Sequence, residues 1–82
     1  MRIYSVHDNK AKAYLNPFHA RTSGEAIRAF QTECKNPQSP FNQYPSDFTL
    51  YELGEFDEES ASIATHKSPV HLSNASEFQQ QL

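Results

Sequence analysis

The sequence predicts an α+β domain: a small antiparallel or mixed sheet of about four strands in two hairpins, with one helix packed across one face, in ββαββ order. Three observations predict it. Residues 2–7 are rich in β-branched and aromatic side chains, as strands prefer. Residues 22–35 repeat apolar side chains at helical spacing. Residues 48–56 form a second aromatic-rich run that stops at an acidic turn.

The first strand covers Arg2, Ile3, Tyr4, Ser5, Val6 and His7. Asp8-Asn9-Lys10-Ala11 turns the chain, because Asp and Asn tolerate tight-turn dihedrals and bond their own backbone. Lys12 to Asn16 returns as a second strand. Pro17 cannot donate to a ladder, so this strand lies at a sheet edge or ends there. Thr22-Ser23-Gly24-Glu25 then has the form of a capping box, with Thr22 as N-cap and Glu25 reaching back. Ala26, Ile27, Phe30 and Cys34 make one apolar stripe, while Arg28, Gln31, Thr32 and Lys35 take the other side. Asn36-Pro37 ends the helix, since the residue before proline avoids helical dihedrals.

Pro37, Pro40 and Pro45 restrict the next loop, which Phe41 and Tyr44 are expected to pin to the body. Phe48 to Phe56 is the strongest strand. Phe48, Leu50 and Phe56 share one parity, and Tyr51 and Leu53 the other. Either both faces are partly covered, or a bulge near Gly54 changes the register. Asp57-Glu58-Glu59-Ser60 turns the chain, and Ala61 to Thr65 adds a weak last strand. The domain is therefore expected over residues 1–65, with a flexible polar tail over residues 66–82. Within the tail, Asn74-Ala75-Ser76-Glu77 could cap a short C-terminal helix over Phe78 and Leu82.

Composition sets the bounds. A chain of 82 residues makes one domain with a thin core, burying about 60% of its unfolded surface. Cys34 is the only cysteine, so no internal disulfide forms. There is no apolar run of about 18 residues to span a membrane, and the polar start does not read as a signal peptide. These features suit a bacterial cytoplasm. Net charge is −3, with seven basic against ten acidic residues. Non-specific DNA binding rests on cations that neutralise phosphates, so this balance weighs against coating DNA by charge alone.

No enzyme is expected, and no cofactor. Gly24 and Gly54 are the only glycines, which leaves no phosphate-cradling loop, and no nucleophile signature is present. His7, His19, His66, His71 and Cys34 lack the paired close spacings of structural zinc sites, so no metal is expected. The acidic run 57–59 reads as a solvated hairpin turn. What remains is basic and aromatic. Arg2, Lys10, Lys12 and Arg21 come from the first hairpin and its exit, interleaved with Tyr14 and Phe18. Single-strand binders use that mixture: charge holds phosphates while rings stack bases. An ordinary hairpin with core aromatics and solvated lysines has the same composition.

The stretch Ser39-Pro40-Phe41-Asn42-Gln43-Tyr44-Pro45-Ser46-Asp47-Phe48-Thr49-Leu50-Tyr51-Glu52-Leu53-Gly54-Glu55-Phe56-Asp57 resembles the small nonstructural protein of the gokushoviruses, tailless single-stranded DNA phages. Their version often carries histidine where Tyr44 stands. Ile3-Tyr4-Ser5-Val6 and Asn16-Pro17-Phe18 belong to the same resemblance, and the segment from His66 carries none of it. The resemblance implies a protein absent from the virion that acts in genome replication in the host cytoplasm. It implies a counterpart of the small protein that switches related phages from double-stranded replicative DNA to single-stranded genomes, with a DNA-binding role.

Two readings of function stand. In the first, a replication accessory touches single-stranded DNA through Arg2, Lys10, Lys12, Tyr14, Phe18 and Arg21. In the second, an adaptor binds a phage or host replication protein through Phe41, Tyr44, Tyr51 and Leu53. A homodimer is expected in either case, because one helix covers one sheet face and the strand 48–56 carries apolar side chains on both parities.

Overall fold

Strand β1 (Arg2–Asp8) organises the sheet, because both of its edges are hydrogen-bonded. On one side it pairs with β4 (Phe48–Phe56), which in turn pairs with β5 (Ile63–Asn74). On the other side it meets two short strands, β2 (Ala13–Tyr14) near its end and β3 (Phe18–Ala20) near its start. All pairings are antiparallel. The computed structural model describes residues 1–78.

The sheet therefore has five strands in βββαββ order, where four in ββαββ order were expected. The difference lies in the returning strand, which Asn16-Pro17 breaks in two. The break is spanned by Leu15, whose N–H donates to the Val6 carbonyl (2.8 Å) and whose carbonyl accepts from the Ser5 hydroxyl (2.6 Å). Pro17 thus ends one pairing without releasing the chain from β1.

Helix α1 (Ser23–Cys34) starts where expected: the Thr22 hydroxyl accepts the Glu25 N–H at 3.2 Å. The Glu25 carboxylate reaches one residue further back than in a standard capping box, to the Arg21 N–H (3.3 Å). Ala26, Phe30 and Cys34 are buried, and Ile27 packs at the margin. They meet Tyr4, Val6, Phe48 and Leu50, the residues of one sheet face. Burial pushes the Cys34 thiol up to about 11, with Glu33 adding to the rise, so it is an inert apolar group.

The proline-rich connection is ordered. Ser39 caps the short helix α2 (Pro40–Gln43) by accepting the Phe41 N–H, and a 3-10 turn (Pro45–Asp47) leads into β4. Phe41 stacks between Phe48 (4.7 Å) and Phe30 (5.4 Å). Tyr44 does not pin the loop as expected; it is 59% exposed.

A bulge resolves the mixed parity of β4. Glu52 pairs with Tyr4 and Gly54 with Ile3, so Leu53 is the extra residue. On the other edge, residues 66–69 of β5 stand opposite Leu53 alone. The one-residue slip moves Phe56 onto the same face as Tyr51. Gly54 sits at the crossing, where a Cβ would overlap the Ala64 carbonyl and come within 2.8 Å of Thr65 Cα.

Residues 66–78 are not a flexible tail. β5 runs to Asn74, and a 3-10 turn (Ala75–Phe78) follows. Ala75 is fully buried, and Phe78 meets Phe30 edge-on at 6.1 Å. The segment reads as polar because β5 is an edge strand whose side chains are mostly exposed. Lys67 and Pro69 on such an edge discourage further strand pairing. Leu82, expected in a terminal helix, lies outside the described residues.

Three measurements test this packing. Phe30→Ala should cost about 3–5 kcal/mol in chemical denaturation, the usual range for emptying an aromatic core site. Gly54→Ala should cost about 1–3 kcal/mol, because the clash falls on backbone atoms. Truncation after Thr65 should lower the melting temperature by more than about 8 °C, since it removes all of β5 beyond Thr65 and the buried Ala75.

Candidate nucleic-acid interface on the open sheet face

One helix buries one face of the sheet, and the register shows what occupies the other. Directly opposed residues of an antiparallel pair share a face. Val6 with Leu50 and Tyr4 with Glu52 lie under α1. Ser5 with Tyr51, His7 with Thr49, His7 with Tyr14, and Tyr51 with His71 therefore lie on the open face. Ile3 with His19, Thr65 with Gly54, and Phe56 with Ile63 continue it beyond the bulge. Among the described residues, no Asp, Glu, Lys or Arg takes a paired strand position on this face.

Ser5 and Thr49 are nearly fully buried on this face. Ser5 is paired with Tyr51 and Thr49 with His7. His7 lies edge-on to Tyr14 (4.6 Å) and to Tyr51 (6.3 Å), Tyr14 to Tyr51 (5.8 Å), and Tyr51 to His71 (5.9 Å). A polar row runs alongside. His7 Nδ1 meets Asn9 Oδ1 (2.7 Å), Asn9 Nδ2 donates to Thr49 Oγ1 (3.3 Å), and Thr49 Oγ1 donates to Asn74 Oδ1 (3.1 Å). His71 Nε2 completes the row on Asn74 Oδ1 at 3.3 Å. The rings are held in place from strands β1, β2, β4 and β5. Tyr14 keeps 46% of its surface exposed. A second ring pair, His19 with Phe56 at 6.2 Å, stands further along the face. Pre-positioned rings on a face with no carboxylate at a paired strand position offer stacking surfaces to unpaired bases.

The charge of the domain sits elsewhere. Glu52, buried on the covered face, bonds His66 Nε2 (2.7 Å) and Arg2 (3.2 Å). Burial opposes its charge, but the hydrogen bonds from His66 and Arg2 outweigh it and hold the carboxyl below its usual value. Next to it, burial pushes the Tyr4 hydroxyl up to about 12, with Glu52 adding to the rise. Arg2 also reaches Glu55, and Arg21 reaches Glu58, each at 3.9 Å.

The expected hairpin site is accordingly divided. Arg2 and Arg21 are engaged by carboxylates at the start of β1, whereas Lys10 and Lys12 flank the turn at its end, roughly 20 Å away at about 3.3 Å per residue. Phe18 stacks on Tyr4 (5.7 Å) toward the covered face, and Tyr14 faces the open one. The second expected set is divided too. Phe41 is spent on the core, Tyr44 is exposed beside Lys10, Leu53 is the bulge residue, and Tyr51 is central to the open face. Tyr14 and Tyr51, assigned to different readings from sequence, are neighbours. His7 and His71 were weighed only as metal ligands, Asn9 only as a turn residue and Asn74 only as a helix cap, and Thr49 had no assigned role. The alternation of Ser5 and His7 with Tyr4 and Val6 carried a signal for β1, whereas nothing local marked residues 71–74 as strand.

Acid tests the Glu52 cluster. A carboxyl held below its ordinary value adds stability above about pH 4.3, lost as pH falls through its folded value. Unfolding free energy measured from neutral to acid pH should therefore fall, and Glu52→Gln should flatten that fall. An unaltered slope in the variant would show that Glu52 does not contribute.

Among the described residues, no group of three or more His, Cys, Asp or Glu side chains could hold a metal ion. No helix is long and apolar enough to cross a membrane. No curated protein and no solved structure matches the chain. A family model does: that of the phage ORF5 protein, over residues 1–78. The match extends through β5 and the closing 3-10 turn, which agrees with their place in the fold. The chain belongs to the phage ORF5 protein family.

Proposed function

We propose that this phage protein is a nonstructural accessory of single-stranded DNA genome replication, acting in the cytoplasm of the infected host and contacting single-stranded DNA through its open sheet face. One observation carries the reading: in a chain of net charge −3, a whole sheet face is free of carboxylates at its paired positions and presents His7, Tyr14, Tyr51 and His71 as one packed group of rings. The resemblance of residues 39–57 to the gokushovirus protein supports the same role. Lys10 and Lys12 flank the turn next to Tyr14 and supply the nearest fixed positive charge. Bases rather than phosphates would provide most of the affinity, so binding would be single-strand selective and modest. The dimer expected from an uncovered apolar face has less to stand on, since that face carries the buried Ser5 and Thr49 and rings with polar atoms.

Anisotropy of a labelled single-stranded oligonucleotide, titrated with protein at low and moderate salt, tests this. The wild type should bind single strands in preference to the matching duplex. Tyr51→Ala should weaken binding by about 1–3 kcal/mol, the usual loss for one stacked base. Lys10→Glu with Lys12→Glu should weaken it further without unfolding the protein. No binding at low salt would overturn the reading in favour of the adaptor.

A further inference from the structure

The open face lacks any fixed cation at its paired positions, yet a polynucleotide brings a phosphate with every base. Something on or beside the rings has to meet that charge. The polar row shows what can. Asn9 Oδ1 is only an acceptor, so the His7 nitrogen facing it, Nδ1, carries a hydrogen. Asn74 Oδ1 likewise fixes the hydrogen of His71 on Nε2. Each imidazole is thereby oriented by one nitrogen and keeps the other to take a second proton without losing its bond. His7 and His71 also bracket Tyr51, with ring centroids at 6.3 and 5.9 Å.

We propose that His7 and His71, in their protonated form, are the phosphate contacts of the open face, so that the protein grips single-stranded DNA more tightly as pH falls through the histidine range. The inference rests on the single-strand reading above. Imidazole is the side chain whose charge changes between about pH 5 and 8. Tyr14 from β2, Thr49 and Tyr51 from β4, and Asn9 from the turn face His7; Tyr51 and Asn74 face His71. The charged groups nearby are few. Asp8 accepts from the Lys10 and Ala11 N–H groups and Glu77 from the Asn74 N–H, and Lys10 and Lys12 flank the turn. His19 is a poorer candidate, because Glu55 and Glu58 gather at its end of the sheet.

The experiment uses the full chain and labelled oligothymidine, whose bases do not titrate in this range. Affinity is measured against salt at about pH 8 and about pH 6. Each phosphate contact on a single strand adds about 0.7 to the slope of log affinity against log salt. With Lys10 and Lys12 alone the slope should be about 1.4; with both imidazoles charged it should approach about 2.8. The control variant is His7→Asn with His71→Gln. The Asn amide can replace Nδ1 and the Gln amide Nε2, so both bonds to the polar row can persist. In that variant the slope should no longer rise between the two pH values. A wild-type slope that does not change with pH overturns the proposal, and so does a rise that survives in the double variant. These outcomes differ from failure of the single-strand reading, in which oligothymidine does not bind at either pH. Should the double variant melt early, the wild-type slopes still decide.

Discussion

A single twelve-residue helix has to serve a five-stranded sheet, and it can dry only one side of it. Ala26, Phe30 and Cys34 pack onto Tyr4, Val6, Phe48 and Leu50, and this contact is the core. In a chain of this size there is no second apolar layer to spend. The opposite face must therefore live with water while keeping its inner backbone covered. It carries amphipathic rings: Tyr and His side chains share the face with the buried Ser5 and Thr49 and with the Asn9–Thr49–Asn74 row. A surface built to shield a sheet from water is by the same means a surface on which flat, weakly polar molecules can stack.

The bulge at Leu53 connects structure to charge. By shifting the β1–β4 register, it carries Phe56 onto the open face that Tyr51 already occupies, while Phe48 and Leu50 serve the core. Glu52 pairs with Val70 beside the looped-out residues 66–69 of β5, and His66 from that loop reaches it. The carboxylate is thus held on the covered side, together with Arg2. Glu55 and Glu58 occupy the nearby end with Arg21. This segregation leaves one face of an acidic chain without a carboxylate at its paired strand positions, with Lys10 and Lys12 flanking the turn near Tyr14.

The first strand, the main helix and the strand 48–56 were legible in local sequence. The capping residue, the apolar stripe, the stop at Asn36-Pro37 and the alternative of a bulge near Gly54 all have short-range causes, and the structure bears them out. Three features were not legible. β3 hides behind Pro17, because a three-residue strand has no periodicity of its own. β5 looks like a tail, because an edge strand with mostly exposed side chains has no buried parity. The site itself is assembled from four strands, so its members are scattered from His7 to Asn74 and share no motif.

By itself the sequence determined that there is one amphipathic helix, two strong strands, and too little apolar surface for more than one core. It also determined an acidic total with few cations. Only the tertiary structure decided which aromatics are core and which are surface: Phe18 and Phe41 went in, while Tyr14 and Tyr51 came together on the outside. It alone decided which cations are engaged by carboxylates. The physical reason is that side-chain composition and local spacing control helix and strand formation over a few residues. Face, partner and electrostatic environment depend instead on register between strands that lie more than half a chain apart, as Arg2 and Glu55 do.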